Sequence, residues 1–165
     1  MQSPSVVLST LLDMTNQAVK GLSLDAILQR VTDTALRLIP ADHVSVRLLD
    51  EAGAALVCRA RAGAGSQAPP LHLRPGEGVL GWVVQNGRGA HVKDSKQDER
   101  FKIAEDQGFT VRSLLAVPLV LEGKVLGVLA MSAASPQAFS PDDEILAQLL
   151  GNWILPFLKL ARRGA

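Results

Sequence analysis

The stretch from Arg112 to Met131, RSLLAVPLVLEGKVLGVLAM, places two apolar runs on either side of a Glu122-Gly123 turn, and neither run alternates with polar residues. An antiparallel pair with one wet face would alternate. Both faces of this hairpin must therefore be covered, and it belongs near the middle of a sheet. A chain built around such a hairpin has to supply two covering layers. With 165 residues it has the length to do so as one domain, since a domain of this size buries about 70% of the surface that its unfolded chain exposes.

Composition removes several classes of function. The chain is 47% hydrophobic and 20% charged, as an ordinary globule is. Its longest apolar run, Leu114 to Leu121, is far short of the roughly 20 residues that span a bilayer, so no membrane insertion is expected. A net charge of +1 predicts no attraction to nucleic acid. No basic residue precedes Lys20, and no compact apolar segment ends in a small-residue cleavage site. A secretory signal is thus not expected, and the setting is cytoplasmic. The single cysteine, Cys58, forms neither an internal disulfide nor a multi-cysteine metal site.

Periodicity gives the element order. Val7, Leu8, Leu11, Leu12, Met14 and Ala18 recur at helical spacing, predicting a helix from Pro4 to about Lys20. Ser23 is placed to cap a second helix, whose Leu24, Ile27, Leu28, Val31, Ala35 and Leu38 share one face before Pro40. His43 to Asp50 alternates with Val44, Val46 and Leu48 on one face, and an acidic-glycine turn leads to a second alternating run from Ala55 to Ala62. There Leu56, Cys58 and Ala60 are expected to share the inner face, with Arg59 and Arg61 on the other. Cys58 reads as a small core residue; a reactive thiol is the other reading.

After a loop from Gly63 to Pro70, the sequence predicts a short strand around Leu71 to Leu73, an RPGEG turn, a helix from Val79 to Asn86 ended by Gly87, and a strand at Ala90 to Val92. Gln97 to Gln107 is expected to be a helix or ordered loop. SPDDE then starts a long helix with a capping Ser140, a proline at its first position and acids at its positive end. Its apolar stripe, Ile145, Leu146, Leu149, Leu150, Trp153, Ile154, Phe157, Leu158 and Ala161, is wider than one sheet face requires. Pro156 is expected to bend or split it. The whole is an α+β architecture, an antiparallel sheet with helices on its faces.

Four segments carry a resemblance. RPGEGVLGWVVQNG (Arg74–Gly87), DSKQDERF (Asp94–Phe101), RSLLAVPLVLEGKVLG (Arg112–Gly127) and FSPDDE (Phe139–Glu144) resemble the successive signature segments of GAF domains, in the family's order. The resemblance implies a GAF/PAS-like fold: a central antiparallel sheet of about six strands covered by helices, with the N- and C-terminal helices packed together. It implies one domain over residues 1–165, with an N-terminal helix in 1–22, the core in 23–153 and a C-terminal helix in 140–163. The implied function is that of a sensory or regulatory domain of bacterial-type signalling proteins, binding a small molecule noncovalently and reporting through terminal helices to an output domain or protein. A dimerisation or protein-interaction module without a ligand is the alternative, and a thiol enzyme is a third.

The family's known chemistries can be tested on these residues. Where bilin-carrying relatives place their attachment cysteine, ahead of the Val111-Arg112 step, this chain has Phe101. Where haem-binding relatives place an axial histidine, it has Gly108 and Phe109. Neither covalent bilin nor haem is expected, and any ligand is an unidentified small molecule. The cyclic-nucleotide relatives follow a phenylalanine with aspartate-glutamate, which here is inverted to Glu105-Asp106 after Phe101. The free methionine sulfoxide reductases need more than one cysteine to attack and then resolve through a disulfide. The chain is therefore expected not to be an enzyme.

The histidines His43, His72 and His91 lie on separate elements without metal-ligand spacing and read as surface or strand-end residues. Asp94, Asp98 and Glu99 alternate with Lys93, Lys96 and Arg100, as a solvated loop face does, so no metal site is expected. The candidate ligand-binding residues are Trp82, Asp94, Phe101, Phe109 and Arg112. Trp82 is either a stacking lid or a core residue. Arg112, just ahead of a doubly buried strand, has to meet an acid such as Asp94 or Asp98, a carbonyl, or an anionic ligand. Leu11, Leu149, Trp153 and Phe157 are the candidate contacts of a homodimer formed through the terminal helices.

Overall fold

The computed structural model describes residues 2–67, 73–101 and 109–163. Helix α1 (Pro4–Val19) starts behind Ser3, whose hydroxyl accepts from the Val6 amide, and α2 (Leu24–Leu38) starts behind Ser23, which accepts from Ala26. Ile27, Leu28, Val31, Ala35 and Leu38 of α2 are all buried, the face that their spacing predicts. Strands β1 (His43–Leu49) and β2 (Leu56–Gly63) form the first hairpin. Helix α3 (Gly78–Asn86), the short strand β3 (Ala90–Val92) and a single 3₁₀ turn (Ser95–Gln97) follow. The hairpin of β4 (Ser113–Leu121) and β5 (Lys124–Ala133) leads to α4 (Pro141–Arg163).

The five strands pair antiparallel in the order β2-β1-β5-β4-β3. The apolar hairpin therefore occupies the interior of the sheet, buried on both faces over nearly its whole length. Glu122 and Gly123 both have positive φ, 52° and 81°, the handedness that lets a two-residue turn follow the twist of the strands. A sixth strand expected at Leu71–Leu73 reduces, among the described residues, to one bridge between Leu73 and Leu56. Residues 71 and 72 lie outside the described residues, as does most of the helix or loop expected between Gln97 and Gln107.

The sheet separates two apolar clusters. On one face Val44, Val46, Leu115, Val117, Leu119, Leu129 and Met131 pack with α2, with Leu150, Ile154 and Leu158 of α4, and with Met14 of α1. On the other, Leu114, Ala116, Val128 and Ala130 pack with Val79, Val83 and Val84 of α3. Helix α4 is held at its start by a reciprocal cap, Ser140 Oγ accepting from the Asp143 amide while the Asp143 carboxylate accepts from the Ser140 amide. Pro156 does not split it. Both Pro156 and Asn152, whose carbonyl loses its donor, are exposed, so water can take the place of the missing amide. No helix among the described residues is long and apolar enough to cross a membrane.

Candidate functional site

Strand β1 alternates as its sequence predicts, but its polar side is not wet. Val44, Val46 and Leu48 face the helices α2 and α4. His43, Ser45 and Arg47 face the opposite way and are only 6%, 4% and 7% exposed. Ser132 of β5, the register partner of His43, is 4% exposed. A row of four buried polar residues thus runs along adjacent central strands, on the face that α3 covers. Burying such groups costs several kcal/mol unless they find partners, and His43 has one in the Ala64 carbonyl.

Strand β2 extends this row through a β-bulge. Ala60 pairs with Val46 and Cys58 with Arg47, so Arg59 is the extra residue and the register shifts there. Residues on either side of a bulge exchange faces. Arg59 consequently turns toward α2, where its guanidinium meets Asp25 at 2.8 Å, and Ala60 joins the helix-side core. Leu56 and Cys58 lie on the polar-row face, as does Arg61, the register partner of Ser45. The expectation that Leu56, Cys58 and Ala60 share a face, opposite Arg59 and Arg61, fails for this reason. Cys58 is half-buried beside Arg47, with its thiol 3.7 Å from the Ala60 carbonyl, and is not a core residue.

Among the described residues, the cover over this floor is apolar and aromatic. Val79, Val83 and Val84 of α3 bury into it, with Trp82, Phe101 and Phe109 partly buried around them. Phe109 stacks on the His43 ring at 4.1 Å between centroids and 16° between planes. His43 Nδ1–H donates to the Ala64 carbonyl at 2.6 Å. Burial lowers the His43 pKa below its ordinary 6.5, Ala64 partly opposes this, and the charges of Arg47 and Arg61 lower it further. Burial likewise pulls Arg47 down, with Cys58 opposing and Arg61 adding to the effect. His43 stands at the strand end, as one of its two expected readings has it, but it is a buried imidazole between a carbonyl and an aromatic ring and not a surface residue.

The sequence-predicted ligand residues fall into two groups. Trp82, Phe101 and Phe109 come together in the cover. Arg100 lies over the Trp82 ring, 4.5 Å from its centroid, and is itself clamped by Asp98 through two bonds of 3.0 and 2.7 Å. Asp94 and Arg112 instead engage each other in a bidentate pair of 3.1 and 2.9 Å. The hydrogen bond from Arg112 holds the Asp94 carboxyl below the usual range, and Asp94 raises Arg112 in turn. With Ser95 N–H donating to the Arg112 carbonyl and Arg112 N–H donating to that of Ala133, the pair ties the segment after β3 to the start of β4. Among the dimer candidates, Trp153 and Phe157 pack at 4.9 Å, Trp153 Nε1–H donates to Thr15 Oγ1 at 3.3 Å, Leu11 packs partly buried on the helix-side core, and Leu149 is 50% exposed.

Sequence reasoning missed His43, Ser45, Arg47, Arg61 and Ser132 as members of one site. The signal was the H-V-S-V-R alternation itself, in a strand that pairs with the doubly covered hairpin. His91 is not a plain surface residue either: its Nδ1 meets Glu144 at 2.5 Å in an open cleft of about 340 Å³ between β3 and α4, lined also by Lys93, Gln137, Phe139 and Pro141. His72 lies outside the described residues. No three or more His, Cys, Asp or Glu side chains among the described residues converge to hold a metal ion.

Comparison with known proteins places this geometry. The family model for the GAF domain matches residues 21–154. A probable 3',5'-cyclic phosphodiesterase, pde-5, of Caenorhabditis elegans is 27% identical over 135 residues, which are 74% of this chain and 18% of that protein. The chain thus spans under a fifth of the length of this relative. Among solved structures, the GAF domain of a phosphoenolpyruvate-protein phosphotransferase from Coxiella burnetii superposes with a TM-score of 0.86 at 22% identity, over 98% of both chains. The free methionine-R-sulfoxide reductase of Neisseria meningitidis superposes with a TM-score of 0.84 at 18% identity, over 100% of this chain and 96% of the other. These likenesses are of fold, and the second corrects the expectation that the chain is not an enzyme: enzymes are built on the same fold, which therefore does not exclude catalysis. With its model matched across the core of the sequence and its fold shared end to end, the chain belongs to the GAF domain family.

Proposed function

We propose that this chain is a regulatory domain of a cytoplasmic signalling protein, binding a small molecule noncovalently between the sheet and α3. The observation that carries the reading is the buried polar row His43, Ser45, Arg47 and Ser132 beneath an apolar and aromatic cover. A few convergent polar groups set in apolar walls are what a small-molecule site requires. The match to a stretch making up 18% of a cyclic phosphodiesterase supports a module acting within a larger assembly.

The polar row lies on strands whose other faces pack on α2 and α4, so a ligand that favours one arrangement of β1 and β5 has a direct route to the terminal helices. Signal transmission is then a shift in population between helix arrangements, and it requires different affinity for the two states. The surface of α1 and α4 supports a homodimer, with the two terminal helices packed together as its interface. Leu8, Leu12 and Val19 on α1, and Ile145, Leu149 and Leu160 on α4, are 50% exposed or more. Leu8, Leu12 and Val19 fall on the stripe of α1 that holds Thr15, and Ile145, Leu149 and Leu160 on that of α4 that holds Trp153, and the bond from Trp153 to Thr15 supports a shared interface of the two helices.

A thermal-shift panel of nucleotides, amino acids, organic acids and tetrapyrroles tests the binding. At least one class is expected to raise Tm and to change tryptophan fluorescence, and the fluorescence change should disappear in Trp82→Phe. Indifference to the whole panel would count decisively against a ligand-binding role.

A further inference from the structure

On the face of the sheet away from α3, the edge strand β3 meets the start of α4. Ala90 and Val92 belong to the α3-side cluster, so His91 between them points to the other face, where its ring lies edge-on to Phe139 at 6.5 Å between centroids. Its Nδ1 meets the Glu144 carboxylate at 2.5 Å, whereas its Nε2 is buried with no hydrogen-bond partner among the described residues. Neither protonation state of the ring resolves this. With Nδ1–H donated to Glu144, a neutral ring leaves Nε2 an acceptor without a donor, and a protonated ring leaves it a donor without an acceptor. A buried polar atom in that condition carries a desolvation cost, which the closed arrangement bears.

A second cost falls on the same junction. Gln137, whose amide donates to the Lys93 carbonyl at 2.8 Å, has a φ of 54°, a left-handed conformation that residues with side chains rarely adopt. His91, Lys93, Gln137 and Glu144 all line the open cleft of about 340 Å³, so solvent stands beside the junction. The chain that leaves it runs to the pocket side of the sheet, where Asp94 pairs with Arg112 and Arg100 lies over Trp82.

We infer that the contact of His91 with Glu144 is a strained latch between β3 and α4, closed at the expense of Nε2 and released when the imidazole turns to water, and that it links the Trp82 cover to the first turns of α4. The latch stands without a ligand; its use in signalling rests on the regulatory reading above.

Hydrogen exchange at the Gln137 and Glu144 amides, the first bonded to Lys93 and the second to the Ser140 carbonyl, reports the opening of the junction. His91→Phe keeps an aromatic ring beside Phe139 and removes both nitrogens. It should slow exchange at these amides about fivefold or more and leave Tm equal to or above that of the wild type, as expected when a buried polar atom without a partner gives way to an apolar group. Glu144→Ala removes the group that holds the latch and should speed exchange by a similar factor. Trp82 emission, isolated by Trp153→Phe since the chain has two tryptophans, should shift in Glu144→Ala. Faster exchange or a lower Tm in His91→Phe would make His91 an ordinary partner of Glu144 and overturn the inference, as would unchanged exchange in that variant. Glu144→Ala decides independently of how His91→Phe folds: exchange no faster than in the wild type would mean that nothing is held closed there. An unshifted Trp82 emission would overturn the link to the cover. None of these measurements involves a ligand, so a silent ligand panel would remove the binding role and leave the latch.

Discussion

His43 joins three features of the site: it begins β1, donates through Nδ1 to Ala64, and carries Phe109 on its ring. Its imidazole is buried and its pKa lowered, so the folded protein binds a proton there less readily than the unfolded chain. The sign follows directly. Above about pH 6.5 both states are neutral at this residue and it contributes no pH dependence; as pH falls below 6.5 the unfolded chain takes up the proton first and stability is lost until the lowered folded pKa is reached. The loss attributable to one such group is at most about 1.4 kcal/mol per pH unit. Urea unfolding at pH 7.5, 6 and 5 should show this slope, reduced in His43→Asn, whose side-chain amide can still donate to Ala64 but does not titrate. An equal slope in the variant would assign the pH dependence to other groups. The residue was visible in the sequence only as the first polar position of an alternating run. Alternation reports that two faces differ in polarity; it does not report what covers them, and here α3 and the aromatic segment, not water, cover the polar one. Asp94 and Arg112 were easier to anticipate as a pair, because a fixed charge beside a doubly buried strand has few places to go.

At the scale of elements, helix and strand limits followed closely from caps, periodicity and turn residues: the Ser23 cap, the Glu122-Gly123 turn and the Ser140 cap each act where their chemistry requires. The bulge at Arg59 did not follow, because an inserted residue leaves the composition of a strand unchanged and shows only in the register with its partner. It nevertheless decides the site, since it turns Arg61 and Cys58 to the same face as Arg47. Gly127 shapes the same region from the other side. A Cβ there would stand 2.1 Å from the Arg47 carbonyl and 2.9 Å from Leu48 Cδ2, so only glycine lets β5 approach β1 this closely. Gly127→Ala is expected to destabilise the fold by about 1–3 kcal/mol, the range for overpacking a well-filled interior. The urea midpoint should fall without a change in the slope m. A variant as stable as the wild type would mean that the two central strands separate at little cost, and that the position of Arg47 is not fixed by their contact.

Across the whole molecule the sheet acts as a partition, with the polar row and aromatic cover on one side and the helices α2, α4 and α1 on the other. Strands β1 and β5 touch both, through His43, Arg47 and Ser132 on one face and Val44, Val46 and Met131 on the other. The helix layer is also where apolar surface is left over. Ile145 is 69%, Leu149 50%, Leu160 67%, Leu8 66% and Leu12 59% exposed, at helical spacing on the outer faces of α4 and α1. Scattered single exposures need no explanation, whereas apolar residues exposed at helical spacing on two helices are of the kind that the proposed second copy would cover. A twofold arrangement would pair the patch with itself. Leu149→Glu places a charge in the middle of it at a position half in solvent, so the monomer should fold with unchanged circular dichroism. Sedimentation equilibrium should show the wild type passing from monomer to dimer with concentration, Tm rising in parallel, and the variant remaining monomeric at the Tm of the dilute wild type. Wild-type protein that stays monomeric at every concentration reached would remove the proposed homodimer, and with it the helix-to-helix route for the signal, while leaving the proposed ligand site on the far side of the sheet untouched.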